Sequence, residues 1–400
     1  SGEVIRPAIL WNDTRCAQEC AELEEMAPEL HQVAGNLAMP GFTAPKLLWV
    51  RRHEPQHFAR TACVLLPKDF LRYKMTGKKV SDMSDAAGTL WLDVARRDWS
   101  DALLQKCGLT RQQMPELVEG CDVSATLAAD IAERWGLNPS VLVAGGGGDN
   151  AVSAIGVGAV SSGDAFISLG TSGVLFVVTD RYRPAPQSAV HAFCHVLPNL
   201  WHQMSVMLSA ASCLQWFCRL TGTTEVALLE EIAQLSEDEK ANAPYFLPYL
   251  SGERTPHNDP LARGMFWGMT HASLRAQLGY AVLEGVSFGI ADGLRVLQES
   301  GTRIDQCSLV GGGARSPFWA QLLADILAMP VVTHKGGETG GALGAARLAC
   351  LAAGKPLASV CHKPEIWQTW QADPQRHQAL MQRYAHFQSL YLNDRHFRQQ

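Results

Sequence analysis

No apolar run in this chain reaches the roughly 20 residues that a bilayer-spanning helix needs. Nor is there a basic excess: 34 Lys and Arg stand against 39 Asp and Glu, a net charge of −5. A chain with that balance has little with which to neutralise nucleic-acid phosphates. No signal peptide is visible in these residues, and the eleven cysteines are scattered and odd in number. That pattern argues against a closed disulfide framework and for free thiols in a reducing cytoplasm. Two nucleotide fingerprints are also missing. GxxxxGK(S/T) occurs nowhere, and no GxGxxG follows a strand, which removes the P-loop and dinucleotide-binding readings. There is no internal repeat and no low-complexity tract. The opening, SGEVIRPAILWND, has no Met and runs straight into an apolar strand. It reads as a chain that starts partway through a domain.

What is present is an ordinary globular composition, 47% hydrophobic and 18% charged over 400 residues, long enough for two to three domains. Residues 1–140 mix short strands with amphipathic helices. One of these, CAQECAELEEMAPELHQVAG, is expected to run to a glycine stop at Gly35. Near residue 141 the texture changes. AFISLG, VLFVVT, AVHAFCHV and WHQMSVML are apolar or β-branched runs separated by turn residues, a consecutive set of strands. In LGYAVLEGVSFGIADGLRVLQES, Leu283, Val286, Ile290, Leu294 and Leu297 recur at three and four, one helix face. Strand, glycine turn and helix then alternate through CSLVGGGARS and PVVTHKGGETGGALG. In that α/β pattern, ligands lie at the carboxyl ends of the strands. The last forty residues are expected to form a surface helical tail.

Four glycine turns each follow an apolar strand: GGGGDN from 145, SLGTSG from 168, GGGARS from 311 and GGETGGALG from 336. Glycine costs about 0.5–1 kcal/mol in regular structure, so repeated runs need a reason. Bare backbone N–H groups suit phosphate, and Thr171 and Ser172 add hydroxyls; the amides of Gly312 and Gly313, at the start of a helix, suit a nucleotide phosphate. In GGGGDN the glycines more plausibly deliver Asp149 to the end of a strand. There its carboxylate can accept the proton of an attacking hydroxyl while Asn150 orients the same polyol. Three other patterns are set aside. GVSFG at 285–289 matches a nucleophile elbow, but Ser287 falls mid-helix by periodicity. His191, Cys194, His195 and His202 lie close in sequence, as in a zinc site, yet on a strand Cys194 points away from the histidines, so structural histidines are expected. CAQEC is helix packing. No metal-ligand set is assigned.

With these residues in view, the chain resembles the FGGY carbohydrate kinases. The resemblance rests on IRPAILWNDTR, MPGFTAPKLLWVRRH, PYLSGERTPHNDP, GMFWGMTHASLRAQLGYAVLEG, and GGGARS followed by GGALGAARLA. It extends from Val4 to about Ala353. It implies an α/β, two-domain, actin-like (ribonuclease H-like) ATPase fold with the active site in the cleft. Residues 1–160 would be the remainder of the sugar-binding domain, and 161–400 the nucleotide-binding domain with its helical tail. The implied activity is ATP-dependent phosphorylation of a pentulose, D-xylulose to D-xylulose 5-phosphate, with Mg²⁺ as ATP's companion. The alternative is an inactive sugar- or nucleotide-binding relative. By the same resemblance Asp149 is the catalytic base and Asn150 a sugar contact, with Met39 and Pro40 in the sugar-side loop. Gly170 and Thr171 would lie by the phosphates, and Gly312 and Gly313 by the nucleotide. Pro317 stands where the family often has Asn. The family's opening DxGTS hairpin and its Met-His segment are absent from these 400 residues, and about eighty residues of the first domain are expected to be missing. The partners implied are the small sugar and ATP, with no nucleic acid or membrane, and possibly a second copy as a homodimer.

Overall fold

The computed structural model describes residues 2–335 and 340–399. Gly336, Gly337, Glu338 and Thr339, which open the fourth glycine turn, lie outside the described residues. The strands that matter here are β1 (Val80–Asp82), β2 (Glu116–Val118), β3 (Val123–Thr126), β4 (Leu142–Ala144), β5 (Ala165–Leu169), β6 (Gly173–Thr179), β7 (His191–Cys194), β8 (Trp201–Met207), β9 (Cys307–Val310), β10 (Val331–His334) and β11 (Ile366–Trp370). The helices that frame them are α1 (Ala17–Met26), α2 (Thr43–His53), α3 (Pro67–Thr76), α4 (Met83–Ala87), α5 (Asp149–Val157), α6 (Ala211–Thr221), α7 (Arg275–Glu299), α8 (Pro317–Leu327), α9 (Gly341–Ala352) and α10 (Pro374–Arg398).

Seven strands make one mixed sheet in the order β11-β10-β9-β5-β6-β8-β7. The four runs read as consecutive strands are β5, β6, β7 and β8. The sheet is parallel only in its middle, where β9 lies between β5 and β10. Side chains alternate across a strand, so each one feeds two cores. Ile167, Leu169, Leu175 and Val177 face the helical layer built on α6, α7 and α8. Phe166, Phe176 and Val178 face the other way and pack with Leu23, Leu30, Leu48, Trp91 and Leu103 of the first part of the chain. Phe166 pairs with Phe176 across the strands, rings stacked 4.8 Å apart. All five periodic residues of α7 are buried, each contributing about 1.5–3 kcal/mol by burial.

Three sequence expectations need correction. Residues 2–10 hold no strand. The helix read through to Gly35 breaks after Met26, because Pro28 lacks an N–H and drives Ala27 out of helical geometry, to φ −129 and ψ 72. A second short helix, Leu30–Val33, follows before Gly35 turns at φ +74. The tail is not merely surface. β11 adds an antiparallel edge strand to β10, and α10 buries Leu380, Phe387 and Tyr391 against the helical layer. Polar contacts fix it there: Tyr384 donates to Asp292 at 2.6 Å, and Arg383 grips Glu284 at 2.7 Å.

Candidate active site

The run Gly145–Gly148 carries the chain from β4 into α5. It is wedged. A Cβ on Gly145 would overlap the carbonyl oxygen of Glu119, and one on Gly147 would overlap the Val196 side chain. The turn is held by backbone bonds from Gly145 N to Asp122 O at 2.8 Å and from Gly146 N to Gly120 O at 3.0 Å. The glycines are therefore required by close approach to neighbouring segments. Asp149 emerges as the first residue of α5, exposed, where a helix N-terminus suits an anionic side chain. Its Oδ1 accepts from Asn150 N at 2.7 Å and Asn150 Nδ2 at 3.1 Å, while its Oδ2 makes no hydrogen bond among the described residues. One carboxylate oxygen is anchored and the other is open. The far end of α5 is capped by Arg347 of α9, whose Nη1 donates to Ile155 O at 2.8 Å and Gly156 O at 3.0 Å. Gly344 lets α9 lie directly against the Val152 carbonyl.

Two further glycine turns lie at the carboxyl ends of β5 and β9. Gly170 and Thr171 follow β5, and Gly311–Gly313 follow its parallel neighbour β9. A Cβ on Gly312 would meet nothing within 4 Å, so that face is open; one on Gly313 would overlap the Leu169 side chain. Gly312 thus faces solvent, while Gly313 packs the two turns together. Ser316 caps α8 by accepting from Trp319 N at 3.2 Å, and Pro317 takes the first helical position, where no N–H is needed. Sequence reading missed the start of α6. Ala211 N and Ala210 N donate to the carbonyls of Gly170 and Thr171 at 2.8 and 2.9 Å, and Ser212 Oγ donates to Thr171 O at 2.7 Å. Behind it, Glu253 Oε1 accepts from Leu208 N at 2.9 Å and Arg254 N at 2.7 Å. Burial pushes the Glu253 carboxyl up to about 8, against those two hydrogen bonds.

Two glycine turns and an open carboxylate are thus presented on one fold, and comparisons with known proteins show the family to which that fold belongs. Residues 1–156 match the family model for the FGGY family of carbohydrate kinases, N-terminal domain, and residues 165–353 match the C-terminal domain of the same family. The chain belongs to the FGGY family of carbohydrate kinases. It is 54% identical to the xylulose kinase of Escherichia coli (strain K12) over 390 residues, which cover 97% of this chain and 80% of that protein. The xylulose kinase of Klebsiella pneumoniae is 55% identical over 350 residues, 88% of this chain and 72% of its own. Among solved structures, the xyloylose kinase from Brucella ovis superposes with a TM-score of 0.95 at 48% identity, over 99% of this chain and 81% of that one. The two-domain, actin-like carbohydrate kinase fold follows, and with it ATP-dependent sugar phosphorylation.

In this carbohydrate kinase Ser287 and the clustered histidines take structural places, while Met39 and Pro40 lie just before α2. Met39 is only 8% exposed. The carbonyl of Pro40 accepts from Cys16 Sγ at 3.6 Å. Among the described residues no hydrogen bond or ring contact joins Met39 or Pro40 to Asp149. Ser287 lies inside α7, donates to Leu283 O at 2.8 Å and accepts from Trp319 Nε1 at 3.0 Å, so it is no nucleophile. His191, His195 and His202 are buried among Phe176 and Phe193; His191 Nδ1 meets Asn36 Oδ1 at 2.8 Å, and His202 stacks on Phe176 at 4.4 Å. Burial pushes His191 and His195 down to about 3, the field of Arg254 reinforcing it at the first and that of Arg97 at the second. No helix among the described residues is long and apolar enough to cross a membrane.

Proposed function

We propose that the chain transfers the γ-phosphoryl group of ATP to D-xylulose, giving D-xylulose 5-phosphate and ADP. Two supports carry the choice of sugar: the xylulose kinases that it resembles at 54% and 55% identity. The observation that carries the mechanism is Asp149, anchored through Oδ1 and free at Oδ2. Asp149 Oδ2 accepts the proton of the sugar hydroxyl, the new bond forms from that oxygen to the γ-phosphorus, and the bond from phosphorus to the β,γ-bridging oxygen breaks. The proton leaves Asp149 to solvent. Asn150 donates to sugar oxygens beside it. Such catalysis is mostly positioning plus neutralisation of charge. The exposed Thr171 and Gly312, with Gly170, form the phosphate cradle beside the start of α6.

Mg²⁺ accompanies ATP and is held largely by phosphate oxygens and water with one or two carboxylates. Among the described residues no group of three or more His, Cys, Asp or Glu is gathered that could hold a metal ion. The eleven unpaired cysteines fit a reducing cytoplasm. A homodimer is part of the same proposal, and light scattering on the purified chain would reveal it.

The test is Asp149→Asn, assayed by coupled ADP release with D-xylulose and calorimetry with ATP–Mg²⁺. Nucleotide binding should persist while kcat falls by about 10²–10⁴, the usual worth of a positioned base. Turnover within a few-fold of the parent would make Asp149 structural. A panel of D-xylulose, D-ribulose, L-ribulose and L-xylulose tests the sugar, and a kcat/KM for another pentulose above that for D-xylulose would reject the assignment.

A further inference from the structure

The glycine run before Asp149 ends on an N–H whose partner comes from elsewhere in the chain. Gly148 caps α5 without a side chain of its own, and its N–H donates to Ser84 Oγ at 3.0 Å. Ser84 is 5% exposed, and its own proton goes to Asp82 Oδ2 at 2.5 Å. That oxygen also accepts Ser84 N at 2.8 Å and Asp85 N at 3.1 Å, making Asp82 the N-cap of α4. The other oxygen of Asp82 pairs with Lys68 Nζ at 2.6 Å. Lys68 further meets Asp69 at 2.7 Å and Asp85 at 3.3 Å. Burial opposes its charge, but the three carboxylates outweigh burial and hold the ammonium above its usual range.

Lys68 meets Oδ1 of Asp82 as an ion pair while Oδ2 accepts the Ser84 hydroxyl, so Asp82 links the two. The Ser84 hydroxyl must donate to Asp82 and turn a lone pair to Gly148. A second arm of the same cluster reaches the other end of the run. Arg72, 3.4 Å from Asp69 and donating to Val80 O at 2.8 Å, also donates to the Gly145 carbonyl. The glycines supply close approach but no side chain with which to hold themselves. Side-chain support for both ends of the run comes from α3, β1 and α4.

We infer that Ser84, oriented by Asp82 and Lys68, is a positioning residue for Asp149, fixing the start of α5 so that the free carboxylate oxygen meets the sugar hydroxyl. The inference rests on the reading of Asp149 as the base. Proton transfer needs heavy atoms within about 2.6–3.2 Å, and a displacement near 1 Å costs about 10²-fold, so losing one of several tethers should cost less.

The experiment compares the parent, Ser84→Ala, Ser84→Thr, Asp149→Asn and the Ser84→Ala/Asp149→Asn double variant. Ser84→Ala should lower kcat about 10-fold with the KM values for ATP and D-xylulose within about 2-fold, and Ser84→Thr, which keeps the hydroxyl, should recover most of it. Amide hydrogen exchange over residues 145–152 should quicken in Ser84→Ala. In the Asp149→Asn background the loss from Ser84→Ala should vanish, because there is no longer a base to position. A parent-like kcat in Ser84→Ala, an equal loss in both backgrounds, or unchanged exchange over 145–152 would overturn the inference. Failure of the base reading looks different: Asp149→Asn alone would then keep its turnover. If Ser84→Ala does not fold, Asp82→Asn keeps the shape while weakening the Lys68 link, and the same split between kcat and KM is required of it.

Discussion

At Gly145 an added Cβ would overlap a carbonyl oxygen of Glu119, whereas at Gly312 it would meet nothing within 4 Å. Both residues belong to a glycine run that follows a short strand, and their neighbourhoods in the sequence look alike. The first run is wedged among backbone and side chains and serves to put a carboxylate outside the wedge. The second is closed at Gly311 and Gly313, both against Leu169, and leaves only the face at Gly312 open. Their supports differ as well. Behind the first stands an ion-paired network of Lys68, Asp69, Arg72 and Asp82. The second adjoins the SLGTSG turn, where the start of α6 is steadied by Glu253, a buried carboxyl raised to about 8. A glycine run therefore reports a need for closeness without saying whether the close neighbour is the protein or its substrate.

Substitutions can break or sharpen that contrast. The largest effect is expected at Gly145→Ala, where backbone would have to move, costing about 3 kcal/mol, at the upper end of overpacking losses. Thermal unfolding measures it, and a Tm within a degree of the parent would refute the wedge. Gly313→Ala should cost less, about 1–2 kcal/mol, since the obstacle is a leucine side chain that can shift. A loss equal to that of Gly145→Ala would erase the distinction between the two turns.

Glu253 sharpens the contrast through pH. Its carboxyl is held at about 8 against an ordinary 4.5, so the folded chain keeps a proton that the unfolded chain has released. Stability from this group is full below about 4.5 and falls as pH rises towards 8, by at most about 1.4 kcal/mol per pH unit. Glu253→Gln retains an acceptor for Leu208 N and Arg254 N and removes the titration. Its denaturation midpoint should overlay the parent's near pH 4.5 and exceed it at pH 8; parallel curves across that range would count against the buried proton. The smallest change in stability belongs to Gly312→Ala, within about 0.5 kcal/mol of the parent. There the reading is kinetic, a raised KM for ATP with that for D-xylulose unchanged, and an unaltered KM for ATP would place the nucleotide elsewhere.

Much of this was legible in the residues. Apolar runs with turn residues between them located β5 to β8, and the spacing from Leu283 to Leu297 located α7, because burial of one face imposes those periods. The exposed position of Asp149 was legible because four glycines before a carboxylate demand an explanation. Pro28 should have broken the long helix, its effect on Ala27 being local and readable. Ser84, Asp82 and Lys68 could not be connected to Gly148 by spacing, since 64 residues separate the two ends of the bond. The one available signal was the Asp82–Ser84 capping pattern, which predicts a helix start but not what the serine holds besides. Glu253 is similarly 45 residues from Leu208, and only the fold brings them together.

The clasp of Arg347 and Gly344 on α5 has a consequence for recombination. The family's two sequence models meet between residues 156 and 165, an inviting junction for exchanging halves between relatives. Yet the helix that ends the first half has its terminal carbonyls satisfied by Arg347, which lies 192 and 191 positions from them in the sequence. Its flank is matched to a glycine at 344. A chimera joined in that gap inherits Asp149 from one parent and the grip on its helix from the other. Compatible crossovers will be those in which the incoming half brings an arginine and a glycine at those two places, whatever the similarity of the rest.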